Sequence, residues 1–172
     1  MRQQRARRAL DSQNATHFAR VLRTALGLMD LHPDFPVVEG HHQMTQEWSV
    51  VLPSKFNRRI EDGDLVFWRP GFTVWVAVWN NDKKETKQQR LASLKTEHAR
   101  GAFAVQERQI GSTLFYTYRL AENSKDKRVP ALYCYAFSDF SEVQMAIYFD
   151  SETDASIGES LCLTIKYESR KP

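Results

Sequence analysis

The chain has 172 residues and a mass of 20.0 kDa, a length that suits one domain with a full core and leaves little room for two. Hydrophobic residues at 42% exclude a disordered polyampholyte, and seven Gly with six Pro exclude a collagen-like or low-complexity chain. The net charge of +3 is unevenly placed: Arg2, Arg5, Arg7, Arg8, Arg20 and Arg23 meet only Asp11 within residues 1–23, so the rest of the chain is close to neutral.

Phe18, Leu22, Ala25 and Met29 recur at helical spacing, with Val21 and Leu28 widening the stripe, which predicts an amphipathic N-terminal helix. Asp11, Ser12 and Asn14 are its N-cap candidates. Two prolines in Leu31-His-Pro-Asp-Phe-Pro36 stop it, and residues 32–46 read as a linker. The predicted division is a basic N-terminal helix and linker over 1–45, then a single α+β domain over 46–172.

Short strands open that body. Trp48, Val50 and Leu52 alternate up to Pro53, and Asn57 to Ile60 reads as a second short strand. Leu65 to Arg69 and Phe72 to Trp79 flank the turn dipeptide Pro70-Gly71. Phe72, Val74, Val76 and Val78 take one face, Thr73, Trp75, Ala77 and Trp79 the other. Asn80-Asn81-Asp82 then caps a helix over about 83–100, ending at Gly101, with a thin apolar stripe of Leu91, Leu94 and His98. Two hairpins follow, Phe103 to Gln109 with Thr113 to Leu120, and Ala131 to Phe137 with Val143 to Phe149, separated by the charged loop 121–128. Ser151 or Thr153 starts a last helix carrying Ile157, Leu161 and Ile165. The predicted fold class is α+β: a mainly antiparallel sheet of about six to eight strands with helices packed on its faces, an α/β/α-like sandwich, plus the N-terminal helix.

Cys134 and Cys162 both sit in apolar runs and read as two buried free thiols of a reducing compartment. No stretch approaches the roughly 20 apolar residues of a membrane span, and Val21 to Leu31 is interrupted by Arg23 and Asp30. The expected location is the cytoplasm.

Catalytic and metal chemistry find little support. Asp150, Glu152 and Asp154 copy the start of a calcium loop, but Ala155 and Leu161 stand where such a loop needs Gly and Glu. The three acids read instead as favourable charge at a helix start. No metal site is expected from His17, His32, His41, His42 and His98, because no Cys-x-x-Cys or His-x-x-x-His spacing occurs. For nucleophilic catalysis Cys134 with a histidine is the pair to test, although its place between Tyr133 and Tyr135 in a central strand favours a packed thiol. There is no nucleophile elbow or phosphate loop. A non-enzymatic protein without a cofactor is the expectation.

Two features suit binding. Across a tight Pro70-Gly71 hairpin, Trp68 pairs with Thr73 and Val66 with Trp75, so Trp68, Trp75 and Trp79 share one face as a candidate binding surface, with Arg69 beside them. The second feature is the basic helix, whose Lys83, Lys84, Lys87 and Arg90 join the N-terminal arginines as candidate phosphate contacts.

Trp48-Ser-Val-Val-Leu-Pro53 opening the sheet, a mid-chain helix, and Val143-Gln-Met-Ala-Ile-Tyr-Phe149 feeding a final helix resemble the small bacterial proteins of the Mog1/PsbP-like type over residues 46–167. That resemblance implies an antiparallel sheet between helices and an accessory or binding role, and it carries no functional residue across. The leading expectation is a protein-interaction module binding another protein, such as a bacterial immunity or accessory factor. The alternative is a nucleic-acid-binding protein that uses the arginine arm and the helix 83–100.

Overall fold

A computed structural model of the chain describes residues 31–98, 101–121 and 131–169. The chain divides into Met1–Leu31 and His32–Pro172. The predicted N-terminal helix, its arginine arm and most of the charged loop 121–128 lie outside the described residues.

Among the described residues nine strands dominate: β1 (Val37–Gln43), β2 (Trp48–Glu61), β3 (Asp64–Arg69), β4 (Phe72–Asn80), β5 (Phe103–Ile110), β6 (Thr113–Leu120), β7 (Ala131–Phe137), β8 (Ser141–Phe149) and β9 (Lys166–Tyr167). They form one sheet in the order β1-β2-β3-β4-β8-β7-β6-β5, with β9 added on β2. Every ladder is antiparallel. The described helices are α1 (Lys87–His98) and α2 (Ala155–Leu163), the latter preceded by the 3-10 turn Glu152–Asp154. The expected α+β sandwich is therefore wrong: this is a mostly-β fold in which two short helices form no layers of their own.

Local chemistry explains much of that difference. Pro53 does not end a strand, because β2 runs through it where the β1 ladder shifts register between Val38 and Gly40, a bulge that tolerates a residue without an N–H. The stretch 32–46 contains β1, hidden in the sequence by its polar Glu39-Gly-His-His-Gln43 run at a sheet edge. Helix α1 starts at Lys87 and not at residue 83. The Asn81 side chain accepts from the Glu85 N–H (3.0 Å) and donates to the Glu85 carbonyl (2.8 Å), holding 82–86 in a turn. Lys84 within that turn has φ of 53°, a left-handed backbone incompatible with a helix interior.

The inner face of the sheet carries the main core. Val50, Leu52, Phe56, Phe67, Val74, Leu132, Cys134, Met145 and Ile147 pack with Ala155, Leu161, Cys162 and Ile165 from α2 and its exit. Gly158 lets α2 come close. A Cβ there would stand 3.0 Å from Leu132 and 3.4 Å from Ile147. On the outer face α1 sets Leu91 and Leu94 on Leu114, Tyr116, Tyr118, Tyr135 and Phe137, covering only the β6–β7 side.

Two of the three acids before α2, Glu152 and Asp154, have ion-pair partners of their own. Arg119 donates to both carboxylate oxygens of Glu152, and Arg69 stands 3.6 Å from Asp154. Ser151, and none of the three acids, caps the 3-10 turn by accepting from the Thr153 N–H. Asp154, at the head of α2, makes no side-chain cap bond.

Candidate functional site: the outer aromatic face

Antiparallel partners project to the same side, so the ladders define the outer face row by row. One row reads Asn57, Trp68, Thr73, Tyr148 across β2, β3, β4 and β8. The next reads Arg59, Val66, Trp75, Ala146, Tyr133, Tyr118 from β2 to β6. Ala77, Gln144, Tyr135 and Tyr116 follow, and then Trp79, Glu142 and Phe137.

The hairpin register matches the sequence-derived one: Trp68 opposes Thr73 and Val66 opposes Trp75. Trp68, Trp75 and Trp79 thus stand on one face. Trp68 and Trp75 are half-buried, and Trp79 is 46% exposed at the strand end. Trp68 is held by neighbours from its own side of the sheet. The Phe35 ring meets it edge-on at 4.8 Å, and the Arg59 guanidinium lies 4.8 Å over it. Phe35 is fixed there because Asn57 binds its loop, accepting from the His32 N–H and donating to the carbonyls of His32 and Phe35.

Between the indoles and α1 the face is lined by half-buried Thr73, Ala77, Gln144, Ala146, Tyr133 and Tyr148. The Tyr133 and Tyr148 hydroxyls lie 3.3 Å apart and Tyr133 stacks on Tyr118 at 5.3 Å. Nothing among the described residues forms a second layer over this part of the sheet.

Arg69 does not belong to the face. Alternation sends it inward, where its side chain is 9% exposed, lies over Phe56 and Phe72, and pairs with Asp154. The basic helix residues separate in the same way. Lys83 and Lys84 are exposed in the turn before α1. Lys87 reaches Asp139 (2.7 Å) and the Ser112 carbonyl (2.9 Å). Arg90 is buried against Glu142 (3.0 Å) and donates to the Ser138 carbonyl. Lys95 pairs with Glu107 at 2.7 Å. What reads in the sequence as a solvated basic stripe is, from Lys87 to Lys95, a set of ties between α1 and its surroundings.

An open cleft of about 320 Å³ separates α1 from the adjacent end of the sheet, with Asn81, Glu85, Arg90, Tyr135 and Glu142 among its lining residues. Burial pushes the Glu142 carboxyl above its ordinary range, against the opposing pull of Arg90. Burial also raises Tyr135, whose ring stacks on Tyr118 at 6.2 Å. These groups are committed to one another, which is the pattern of a structural network. Among the described residues no three His, Cys, Asp or Glu side chains are placed to hold a metal ion.

Sequence reasoning did not single out Tyr133, Tyr148, Arg59 or Phe35. Period-two alternation marks Tyr133 and Tyr148 as facing away from Cys134 and Ile147, but only the β4–β8 pairing brings them beside Trp75. Comparison with known protein families finds no match, and no curated protein matches the chain. No helix among the described residues is long and apolar enough to cross a membrane.

Proposed function

We propose that the protein is a non-enzymatic interaction module that binds another protein through the outer face of its sheet, in an accessory or immunity role. The observation that carries this reading is the half-exposed cluster of Trp68, Trp75, Tyr133 and Tyr148, with Trp79 at its end and Arg59 at its side. Trp, Tyr and Arg are the residue types that dominate protein-binding hot spots, because they offer large rigid area with a polar handle. The small floor residues Ala77 and Ala146 leave the flanks of those rings accessible from above.

The nucleic-acid reading has less support, since Lys87, Arg90 and Lys95 already have carboxylate partners. Affinity purification with the wild-type chain and with a Trp75→Ala/Tyr148→Ala variant tests the proposal. A partner identified by mass spectrometry, and rebuilt from purified proteins, should bind the wild type and lose at least tenfold in affinity with the folded variant. Equal binding by both, or no partner at all, overturns the proposal. Fluorescence anisotropy with generic DNA and RNA at 50 and 200 mM salt covers the rival, which requires a loss of about 10³ or more in affinity over that range.

A further inference from the structure

Cys134 and Cys162 are the two cysteines of the chain, and both are free and fully buried. They are distant in sequence and belong to different elements. Cys134 lies on the inner side of β7 between Leu132 and Ala136, and Cys162 on the buried side of α2. The same core cluster contains both.

Gly158 explains why they meet. At Gly158 the α2 backbone comes so close to the sheet that a Cβ would stand 3.0 Å from Leu132. From Gly158 to Cys162 is about one helical turn, roughly 6 Å along the axis. From Leu132 to Cys134 is two strand residues, roughly 7 Å. From that contact α2 runs toward the far end of β7: Thr164 at its exit bonds Val51, the following β9 pairs with Trp48, and the Trp48 indole reaches Ser141 beside the end of β7, so Cys162 comes over the Cys134 stretch of that strand. A disulfide needs this kind of approach, with the two backbones within about 7 Å.

We infer that Cys134 and Cys162 form a latent redox staple: a small hydroperoxide converts this buried thiol pair into a disulfide that fixes α2 to β7. In the first step one sulfur attacks a peroxide oxygen, the O–O bond breaks, and water leaves a sulfenic acid. The second sulfur then attacks the first, an S–S bond forms, the S–O bond breaks, and a second water departs. Two thiols and one hydrogen peroxide thus give one disulfide and two waters, with two electrons passing from sulfur to oxygen. The complete burial of both thiols sets the pace, because oxidation waits on local opening of α2. A protein with this pair stays reduced under brief exposure and is cross-linked under sustained oxidant.

The inference is independent of the outer face and its partner. The full-length protein, held native in dilute hydrogen peroxide and then denatured and alkylated, tests it. The expected result is a monomer with both cysteines protected, one non-reducible-without-thiol peptide joining Cys134 to Cys162, and a melting temperature higher by about 5–10 °C until dithiothreitol is added. Cys134→Ser treated in the same way should yield no such peptide. Two cysteines that remain fully alkylatable, oxygen adducts on cysteine without the linked peptide, or a cross-link between molecules would each overturn it. Because the decisive readout is the wild-type peptide map, the inference stays testable even if a cysteine variant misfolds.

Discussion

Trp75 stands directly opposite Ala146 across the β4–β8 ladder, with Val66 opposite it on the other side. A large ring between two smaller side chains gains lateral contact but no lid. Its inward neighbours on β4, Val74 and Val76, are fully packed. The two faces should therefore respond differently to truncation. Trp75→Ala should cost about 1–2 kcal/mol of stability, whereas Phe67→Ala in the inner core should cost about 3–5 kcal/mol. Urea denaturation of both variants checks this. A Trp75→Ala loss equal to that of Phe67→Ala would mean that the outer face is closed core and unavailable to a partner.

Gly158 offers a second contrast. Replacing a helical glycine by alanine ordinarily stabilises by up to about 1 kcal/mol. Here the new methyl would press on Leu132 at 3.0 Å and Ile147 at 3.4 Å, both side chains almost fully buried. The gain should disappear, and Gly158→Ala should be less stable than the wild type by about 1 kcal/mol in thermal denaturation. Ser156→Ala, on the exposed side of the same helix, serves as the matched substitution and should change stability by less than about 0.5 kcal/mol.

The strand hairpins are legible in the sequence because their information is local. Alternation on either side of Pro70-Gly71 yields the observed Val66–Trp75 and Trp68–Thr73 pairs, and the turns at Gly111-Ser112 and 138–140 fall between the strands they join. The pairing of β4 with β8 is not local, and nothing in either strand announces it. Without it Tyr148 and Tyr133 are two scattered tyrosines. The same limit applies to charge. Lys87 and Arg90 read as solvated because Asp139, from the β7–β8 turn, and Glu142, at the start of β8, lie about 50 residues away in the chain. Helical composition over 83–100 concealed the Asn81 turn, since Lys, Glu and Gln favour a helix wherever packing is indifferent. The fold is mostly β and not the expected α+β sandwich because the two described helices are short and the sheet holds most of the core.

Two carboxylates set opposite pH dependences. The Arg119 guanidinium holds Glu152 below its ordinary value of 4.5, so the stability it contributes is present above that value and is lost as pH falls through the lowered one. Burial raises Glu142, so its contribution is fullest below 4.5 and declines as pH rises through its raised value. Glu152→Gln should therefore lose less stability than the wild type on acidification below about pH 4.5. Glu142→Gln should lose more than the wild type on passing from neutral pH to about pH 4.5, since it lacks a group whose protonation favours the native state. Stability measured in urea at pH 7, 5.5, 4.5 and 3.5 separates them. Parallel curves for all three proteins would show that neither ionisation is linked to folding.

Trp48 and Ser141 test whether the buried polar contact at the far side of the core is needed for stability. The fully buried Trp48 indole N–H donates to the Ser141 hydroxyl oxygen at 2.8 Å, linking the start of β2 to the start of β8. Ser138 supports that oxygen's position: its own hydroxyl accepts from the Ser141 N–H at 3.0 Å and donates to the Ser141 carbonyl at 2.9 Å. Removing the acceptor leaves an indole donor in a dry site, where an unmade hydrogen bond costs about 1–3 kcal/mol. Ser141→Ala should be destabilised by that amount. Ser141→Thr keeps a hydroxyl and should recover part of the loss, reduced by the strain of its extra methyl. In Trp48→Phe, which has no N–H, adding Ser141→Ala should cost less than about 0.5 kcal/mol, giving a coupling energy that a double-mutant cycle reads directly. Additive losses in that cycle would show that the Trp48–Ser141 contact contributes nothing beyond packing.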